Sequence, residues 1–394
     1  MSKVKTLADA DVKGKRVLCR VDFNVPLADG VVTDDTRIQA AMPTIDYLVE
    51  HGAKVVLCSH LGRPEGTGYQ VEFSLAPVAK HLSQVLGKTV HFATDTIGES
   101  AQKVASELSD GEVALLENLR FDKREKKNDP DFAQALASLA EVYVNDAFGA
   151  AHRAHASTAG VAAYLPAYAG MLMEKEVGTL TSMLDDPQHP FVAILGGSKV
   201  SDKVAVIDAL IDKCDTLIIG GGMCFTFLVA QGHTVGTSLM ESDWVERAAA
   251  MLEKAKSKGV SILLPTDVVC ADAFANDART VTCGVDAIPD DMMGLDIGPD
   301  TTAAYADAIA SAKTVFWNGP MGVFEMSSFE AGTKGVALAV AANKQADTII
   351  GGGDSVAAVN KFDLADQMTF ISTGGGASME LVQGEALPGV EALK

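Results

Sequence analysis

The sequence predicts an α/β protein made of two doubly wound, parallel-sheet (Rossmann-like) domains joined by a connecting helix and a hinge. Three observations support this prediction. Short apolar, β-rich runs alternate with longer stretches of helical periodicity along the chain. The length of 394 residues suits two domains of ordinary size. Glycine runs follow several of the β-rich segments, which is typical of turns between strands and helices.

Ten segments are predicted to be strands, because each is short, apolar and rich in β-branched residues. Ten strands suit two sheets better than one. The predicted strands are Arg16–Val21, Lys54–Ser59, Val113–Leu116, Val142–Asn145, Phe191–Leu195, Thr216–Ile219, Ser261–Leu264, Thr314–Trp317, Thr348–Ile350 and Thr369–Ser372.

The boundary between the two domains is predicted in a helical segment. Apolar residues recur at helical spacing over 169–185, and Pro187 and Pro190 end the pattern. We therefore expect domains over residues 1–170 and 187–373, with a connecting helix over 171–186. The alternative is an ordinary peripheral helix of one large domain.

The composition is that of a globular protein, with 48% hydrophobic and 21% charged residues. A net charge of −20 would repel a phosphate backbone, so no nucleic-acid partner is expected. No membrane segment is expected either, because residues 154–173, the most apolar stretch, contain polar residues and Pro166. The six cysteines form no C-x-x-C pair and predict reduced core thiols of a cytoplasmic protein. A monomer is the default expectation.

Arginine and histidine are concentrated in the first half. Seven of the nine arginines and six of the eight histidines precede residue 185. The planar guanidinium group fits carboxylate and phosphate, so convergence of these residues on one sheet edge would form a basic pocket for a phosphorylated acid. Any one of them alone is more often solvated or satisfied in the core. The loops concerned contain Arg20–Asn24, Arg37, His60–Arg63, Asn118–Arg120 and Ala151–His155.

Glycine has the opposite bias. Glycine runs at the carboxyl ends of parallel strands let backbone approach a ligand, and a following helix N-terminus favours phosphate. Four such runs point to a nucleotide, although any one could be a tight turn. Neither G-x-x-x-x-G-K-[ST] nor G-x-G-x-x-G occurs, which argues against a Walker-type NTPase and a standard dinucleotide site. The runs are Gly196–Gly197, Gly220–Gly222, Gly351–Gly353 and Gly374–Gly376.

Three charged residues beside these glycines are candidates for phosphate chemistry. Lys199 and Lys203, four residues apart at the start of a presumed helix, would share one face and reach phosphate oxygens. Cations at a helix N-terminus oppose its dipole, so the pair calls for a compensating anion. Asp354 could hold Mg²⁺ together with substrate phosphates, or it could be an ordinary N-cap.

At these residues the sequence resembles the phosphoglycerate kinase family, in nine segments that occur in the family's order over nearly the whole chain. Nine ordered segments are far more specific than any single motif. The segments are residues 20–26, 59–64, 117–121, 145–153, 196–203, 219–223, 317–325, 351–355 and 372–377.

The resemblance implies reversible phosphoryl transfer between 1,3-bisphosphoglycerate and ADP, giving 3-phosphoglycerate and ATP with Mg²⁺. The residues implied to bind the phosphoglycerate are Asp22, Phe23, Asn24, Arg37, His60, Leu61, Gly62, Arg63, Arg120 and Arg153. Those implied to bind the nucleotide are Lys203, Gly221, Gly222, Gly294, Glu325, Gly352, Gly353, Asp354 and Ser355, with Asp354 as the metal contact. The implied catalytic residues are Arg37, Lys199, Lys203, Gly374, Gly375 and Gly376.

Phosphoryl transfer needs alignment and charge stabilisation more than covalent chemistry, which agrees with this set. Two ligands on separate domains would also require a hinge that closes and excludes water. The resemblance further implies that the tail, from about residue 374, packs back on the first domain. Cys224, beside the nucleotide site, departs from the usual pattern, and its oxidation could affect activity.

Two other functions remain open from the residues alone. A nicotinamide-dependent dehydrogenase also has two α/β domains with glycine turns, but the missing G-x-G-x-x-G motif argues against it. A catalytically idle anion-binding protein of the same fold would show no turnover and no effect of Lys203→Ala.

Overall fold

The computed structural model describes residues 4–394. The strands are β1 (Arg16–Arg20), β2 (Leu27–Ala28), β3 (Val31–Val32), β4 (Lys54–Cys58), β5 (Val90–Phe92), β6 (Val113–Leu115), β7 (Val142–Asn145), β8 (Ala167–Ala169), β9 (Phe191–Leu195), β10 (Thr216–Ile219), β11 (Ser261–Leu263), β12 (Asp267–Ala271), β13 (Thr280–Gly284), β14 (Met293–Ile297), β15 (Thr314–Asn318), β16 (Asp347–Ile350) and β17 (Phe370–Ile371). The helices are α1 (Thr36–Glu50), α2 (Ala76–Leu86), α3 (Glu99–Glu107), α4 (Lys123–Lys126), α5 (Pro130–Ala137), α6 (Met171–Asp185), α7 (Val204–Ile211), α8 (Cys224–Ala230), α9 (Val245–Lys258), α10 (Pro299–Ala310), α11 (Ala331–Ala342), α12 (Gly353–Lys361), α13 (Gly376–Val382) and α14 (Pro388–Glu391).

The chain divides into two compact units. The first contains the described residues up to Thr179 together with Ala386–Lys394, and the second contains Leu180–Glu385. The chain passes from the first unit to the second within α6, the segment in which the sequence predicts a connecting helix.

The first unit is built on a six-stranded sheet in the order β5-β6-β4-β1-β7-β8, and every neighbouring pair in it is parallel. The central strands are almost continuously buried, which explains why they consist of uninterrupted apolar runs. Helix α5 begins at a recognisable signal, because Asp129 accepts hydrogen bonds from the backbone N–H groups of Asp131 and Phe132 at its start. The polar loops after β1, β4, β6 and β7 therefore lie at one edge of this sheet.

The C-terminal segment completes the first unit. The backbone N–H of Gly389 donates to the carbonyl of Ala151 at 2.8 Å, and the N–H of Lys5 donates to the carbonyl of Leu393 at 3.2 Å. Of the tail that the family resemblance assigns to the first domain, only Ala386–Lys394 belongs to this unit. Helix α13 belongs to the second unit, where it contacts α7.

The second unit contains a six-stranded parallel sheet in the order β11-β10-β9-β15-β16-β17. Its core includes Trp317, which is fully buried and donates its indole N–H to the carbonyl of Gly319 at 2.7 Å. The glycine runs after β9, β10, β16 and β17 share one edge of the sheet, because all the strands point the same way.

A three-stranded antiparallel sheet in the order β13-β12-β14 is also part of the second unit. The sequence does not predict it, because β13 is mostly exposed and β12 is interrupted by a bulge after Val269, so neither has the continuous apolar run of a buried parallel strand.

The predicted fold class, two parallel-sheet α/β units, is confirmed. All ten predicted strands are present, with ends that differ by no more than two residues. The short strands β2, β3, β5 and β8 are additional. Across residues 4–394 no helix has the length and apolar character needed to cross a membrane.

Candidate active site

The first unit gathers a basic cluster at the carboxyl edge of its sheet. Asp22 is the central carboxylate: its Oδ2 accepts from Arg37 Nη1 at 2.9 Å, and its Oδ1 lies 4.0 Å from His60 Nδ1. Asn24 Oδ1 accepts from the backbone N–H of Gly62 at 2.8 Å, which ties the loop after β1 to the loop after β4. Three segments that are separate in sequence, 22–24, 37 and 60–62, are thereby brought together at Asp22.

His60 is an uncharged member of this cluster. Only 6% of the residue is exposed, and this burial lowers the pKa of His60 well below its ordinary value. Positive neighbours lower it further, and these are Arg20, Arg120, Arg37 and Arg153.

Arg120 is a buried cation whose guanidinium group is only partly hydrogen-bonded by the protein. Its Nη1 donates to the carbonyl of Gly62 at 2.8 Å, whereas its buried Nε has no hydrogen-bond partner among residues 4–394. Burial lowers the pKa of Arg120 to about 10, and the charges of Arg153 and Arg20 act in the same direction. A crowded set of cations, of which Arg20 and Arg120 are buried, favours an anionic ligand, since bound negative charge would offset their mutual repulsion.

The other residues predicted from the sequence for this site differ in what they can offer. The side chains of Phe23 and Leu61 belong to the apolar core, so only their backbone groups could contact a ligand. Arg63 and Arg153 are exposed. Arg63 follows His60 by three residues, but it makes no hydrogen bond or ion pair with the rest of the described chain. The structure therefore does not join Arg63 to the cluster.

Two basic residues of the cluster were not among the predicted site residues. Arg20, fully buried, reaches His60 with one guanidinium nitrogen, at 3.1 Å from His60 Nδ1. The pKa of His155 is lowered to about 4 by burial and by the charges of Arg120 and Arg20. Both residues belong to the arginine- and histidine-rich loops identified in the sequence, Arg20–Asn24 and Ala151–His155. The sequence alone does not distinguish a buried arginine at the end of a strand from a solvated one.

The second unit contains a cavity of about 690 Å³. Five of the residues predicted to bind nucleotide line it: Gly221, Gly222, Gly294, Glu325 and Asp354. Apolar side chains form much of the remaining wall, among them Phe225, Leu295, Met321 and Val323. A largely apolar cavity with a few polar groups at its rim suits an aromatic base with a polar sugar and phosphates.

Two glycines are required by close packing at this cavity. Gly221 has a φ of +67°, and a Cβ there would lie 2.6 Å from the backbone nitrogen of Gly197. A Cβ on Gly294 would collide with the ring of Phe225, 2.7 Å from its Cε1. Both glycines therefore keep the cavity wall thin and open.

The predicted arrangement of Lys199 and Lys203 on one helix face is wrong. Helix α7 begins only at Val204, so Lys203 is its N-cap and Lys199 lies in the preceding loop, exposed. The loop does not become helical because Gly197 has a φ of +108° and because Ser201 is held by Glu241, whose Oε1 accepts from its hydroxyl at 2.6 Å. The two lysines reach different surroundings.

Lys203 is directed into the site. Its Nζ donates to Asn318 Oδ1, and Asn318 Nδ2 donates in turn to the carbonyl of Gly351 at 2.7 Å. Burial lowers the pKa of Lys203, and the charges of Asp354 and Asp202 oppose that change. Lys203 thus lies within electrostatic range of Asp354, although 150 residues separate them in sequence.

The remaining predicted residues lie at the starts of α12 and α13 or directly before them. The Ser355 side chain is fully buried and accepts from the N–H of Gly319 at 2.6 Å. Gly352 and Gly353 lie at the start of α12. Gly374–Gly376 lead into α13, and the N–H of Gly374 donates to Ser372 Oγ at 3.2 Å.

One carboxylate of the cavity wall was not predicted. Asp296 accepts from the backbone N–H of Gly332 at 2.7 Å and of Ile297 at 2.9 Å, and burial raises its pKa to about 7. Burial also raises the pKa of the Cys224 thiol far above its ordinary value. A buried, protonated thiol is a poor nucleophile, which argues against oxidation of Cys224 as a control of activity.

The chain matches known proteins over almost all of its length. The family model of phosphoglycerate kinases matches residues 7–385. A phosphoglycerate kinase of Moorella thermoacetica is 59% identical over 388 residues, which cover 98% of each chain. The cytosolic phosphoglycerate kinase of Nicotiana tabacum is 57% identical over 394 residues, covering 99% of this chain and 98% of the relative.

Solved structures agree with these sequence relatives. The phosphoglycerate kinase of Coxiella burnetii superimposes with a TM-score of 0.93 at 45% identity, covering 99% of both chains. That of Pyrococcus horikoshii superimposes with a TM-score of 0.84 at 33% identity, covering 99% of this chain and 98% of the other. From the family match, the sequence relatives and the shared fold, the chain belongs to the phosphoglycerate kinase family.

Proposed function

We propose that the basic cluster of the first unit binds the phosphoglycerate and that the cavity of the second unit binds ADP or ATP. Membership of the family makes the chain a transferase that moves a phosphoryl group reversibly between 1,3-bisphosphoglycerate and ADP, giving 3-phosphoglycerate and ATP. It uses ATP and ADP as substrates, and a role in glycolysis is typical of the family. The family excludes the dehydrogenase alternative.

The assignment of the two substrates depends on one chemical difference. Four arginines, two of them buried, outnumber the two nearby carboxylates in the first unit, whereas the second unit has an apolar cavity lined with glycines. A small phosphorylated acid carries much charge and little apolar surface, so the first site suits it. A nucleotide adds an aromatic base, which the second site accommodates.

The phosphoglycerate site in this proposal consists of the ten residues predicted from the sequence. The guanidinium groups of Arg37, Arg120 and Arg153 would pair with the carboxylate and phosphate oxygens. Phe23 and Leu61 would contribute backbone groups only, because their side chains are in the core. Arg63, exposed, would join only when a ligand reaches its side chain.

The transfer itself requires little covalent chemistry from the protein. Arg37 and Lys203 would stabilise charge on the moving phosphoryl group, together with Lys199 and the N–H groups at Gly374–Gly376. No general base is needed, since the acceptor oxygen is already ionised. In-line transfer demands that the two ligands meet, and the hinge expected from the sequence stays a prediction.

Magnesium is part of the proposal, and the residues present fit it. Within residues 4–394 no group of three or more His, Cys, Asp or Glu side chains could hold a metal by itself. Asp354, exposed at the cavity, offers a single carboxylate. That matches Mg²⁺, which is commonly held by one or two carboxylates and by substrate phosphates. Mg²⁺ supplies neutralisation of phosphate charge when it is bound.

We further propose that the protein acts as a monomer in the cytoplasm. The reduced cysteines support that location: all six are free, and five of them are buried. Sedimentation equilibrium tests the oligomeric state, and a mass twice that of one chain would overturn it.

The test is ATP- and Mg²⁺-dependent phosphorylation of 3-phosphoglycerate, coupled to glyceraldehyde-3-phosphate dehydrogenase and followed by loss of NADH. The wild type should turn over, and Lys203→Ala should lose most activity. The matched control is Lys213→Ala, an exposed lysine after α7 whose side chain makes no hydrogen bond or ion pair within the described chain. No turnover by a folded wild type would favour the idle anion-binding protein, and an active Lys203→Ala would remove Lys203 from the nucleotide site.

A further inference from the structure

A buried chain of hydrogen bonds connects Glu125 to His60. Ser157 Oγ lies 2.6 Å from Glu125 Oε1, Arg20 Nε lies 3.0 Å from Ser157 Oγ, and a terminal nitrogen of Arg20 lies 3.1 Å from His60 Nδ1. Glu125, Ser157 and Arg20 are fully buried. A carboxylate on α4, a serine of the loop before β8 and an arginine of β1 thus meet behind the basic cluster.

The direction of every bond in this chain is fixed by the arginine. A guanidinium group only donates, so Ser157 Oγ accepts the hydrogen bond from Arg20 Nε. The Ser157 hydroxyl in turn donates its hydrogen bond to Glu125 Oε1. His60 Nδ1 must likewise accept from Arg20. The imidazole of His60 therefore has no proton on Nδ1, and its single proton is on Nε2.

Glu125 makes three hydrogen bonds to the loop before β8, of which the bond to the Ser157 hydroxyl is one. The side-chain Oε2 of Glu125 accepts from the backbone N–H of Ser157 at 3.0 Å, and the backbone carbonyl of Glu125 accepts from the N–H of Ala156 at 3.0 Å. The hydroxyl of Tyr143 donates to the carbonyl of Ser157 at 2.6 Å. The acceptor for Arg20 is therefore held in place from three sides.

The alternative partner of His60 is weaker. Asp22 Oδ1 lies 4.0 Å from His60 Nδ1, beyond hydrogen-bond distance, and Asp22 is occupied by Arg37 at 2.9 Å. The charged groups that face His60 are mostly cations, so protonation of its ring would add to their repulsion.

We infer that Glu125 is a positioning residue of the phosphoglycerate site, which acts through Ser157 and Arg20 to fix His60 as a neutral donor with its proton on Nε2. The inference depends on the proposed function in one respect, that His60 binds the phosphoglycerate. His60 Nε2 makes no hydrogen bond within residues 4–394, so its N–H is available for an oxygen of the ligand. His60 would recognise that oxygen by donation and not by positive charge.

The inference is tested first on the wild-type protein, which avoids any question of folding. Histidine nitrogens labelled with ¹⁵N are read by NMR at neutral pH, and His60 is assigned by the signals that vanish in His60→Ala. We expect one protonated nitrogen, Nε2, and one unprotonated nitrogen, Nδ1. A proton on Nδ1, or a doubly protonated ring, would overturn the inference.

The second test uses Glu125→Gln, which keeps the size of the side chain. An amide has one acceptor oxygen, so it cannot serve both the hydroxyl and the backbone N–H of Ser157. We expect the KM for 3-phosphoglycerate to rise about 10-fold, the order of one hydrogen bond to a charged group, with the KM for ATP unchanged. The His60 tautomer should become mixed in the same variant.

The matched control is Asp267→Asn. Asp267 is another buried carboxylate: its Oδ1 accepts from the Thr301 hydroxyl at 2.6 Å and its Oδ2 accepts from the backbone N–H of Asp300 at 3.1 Å, so an amide loses one of the two bonds. Asp267→Asn should lower the melting temperature as Glu125→Gln does, but it should leave the His60 signals and the KM for 3-phosphoglycerate unchanged. Equal effects of the two variants on that KM would reduce Glu125 to a structural role and overturn the inference.

His60→Ala separates this inference from the proposed function. An unchanged KM for 3-phosphoglycerate in that variant would contradict the proposed site and, with it, the role of Glu125 in binding. A raised KM together with an Nε2 tautomer in the wild type would support both.

Discussion

The two sites of the molecule differ in how much of the binding geometry the protein builds before any ligand arrives. In the first unit the cluster is already linked: Arg37 is paired with Asp22, Arg20 with His60, and Asn24 with the loop of Gly62. In the second unit five of the predicted residues line an open cavity, and few of the predicted side chains bond to one another. One site is a hydrogen-bonded network of side chains, and the other is a cavity walled by glycines and apolar side chains.

This difference follows from the chemistry of the proposed ligands. Crowded cations need partners to hold them in position, because unpaired buried charge is costly. A base and sugar need an open surface, which glycines provide by the absence of a side chain. We therefore expect charge-removing changes to be most harmful in the first unit and volume-adding changes to be most harmful in the second.

The largest effect is expected for Arg37→Ala. Removing one preorganised charge-stabilising group costs about 2.7 to 4 kcal/mol of transition-state stabilisation, which lowers kcat by about 10² to 10³. The coupled assay measures it. Arg16→Ala is the control, because Arg16 pairs with Glu141 at 3.6 Å at the beginning of β1 and not at its carboxyl end. A near-normal kcat for Arg37→Ala would contradict its catalytic role.

The next effect concerns two buried aspartates, one in each unit. Burial raises the pKa of both Asp146 and Asp296 to about 7, so each favours its neutral form in the folded state. Their stabilising contribution is complete below the ordinary pKa of 3.8 and is lost as the pH rises through 7. Each should lower the free energy of unfolding by about 2 kcal/mol between pH 5 and pH 7, since one pKa unit corresponds to about 1.4 kcal/mol.

Substitution by asparagine distinguishes the two aspartates. In Asp146 one oxygen, Oδ1, accepts from Leu172 and Met173, so an amide keeps both bonds. In Asp296 both oxygens accept backbone N–H groups, so an amide loses one. Urea unfolding should show a smaller pH dependence in both variants, with a loss of stability at pH 5 only for Asp296→Asn. An unchanged pH dependence in Asp146→Asn would contradict the raised pKa.

A smaller effect is expected for Gly294→Ala, which adds volume to the second site. The new methyl group would collide with Phe225 and force its ring to move, and such overpacking costs about 1 to 3 kcal/mol. We expect the KM for ATP to rise about tenfold while the KM for 3-phosphoglycerate is unchanged. Gly284→Ala on β13 is the control, because a Cβ there would meet only the carbonyl of Thr266 at 3.8 Å. Equal KM values for ATP in the two variants would mean that the wall at Gly294 does not contact nucleotide.

The smallest effect is expected at the cysteines. Cys224 is buried and its pKa is raised, so iodoacetamide should leave the folded protein active. Cys283, the half-buried cysteine, should be labelled first, and mass spectrometry of digested samples gives the order. Loss of activity in proportion to labelling of Cys224 would restore the redox-sensitive interpretation.

Much of the fold could be predicted because its parallel strands are buried on both faces. Such strands must be continuous apolar runs, as in Phe191–Leu195, and the pattern identifies them without any knowledge of their neighbours. The antiparallel sheet of β12, β13 and β14 could not be predicted in the same way, because β13 is largely exposed. That sheet nevertheless supplies Gly294 and Leu295 to the cavity wall.

The predicted site residues likewise divide by the kind of information they need. Glycine runs and arginine-rich loops are visible as residue types at strand ends. The position of Lys203 beside Asn318 and the exposure of Lys199 were not predictable, because a turn at Gly197 delays the start of α7. Glu125 carried no signal at all, since a glutamate among lysines and arginines in the sequence is typical of a solvated surface.

The sequence by itself determined the class of fold, the family and the residue types available at each strand end, because these depend on local pattern and on order along the chain. Only the tertiary structure decided which charges face one another. Arg20, Glu125 and Ser157 become one hydrogen-bonded chain through packing of segments that lie 32 and 137 residues apart in sequence. Burial then sets the protonation of His60, and burial is a property of the folded molecule and not of the residue.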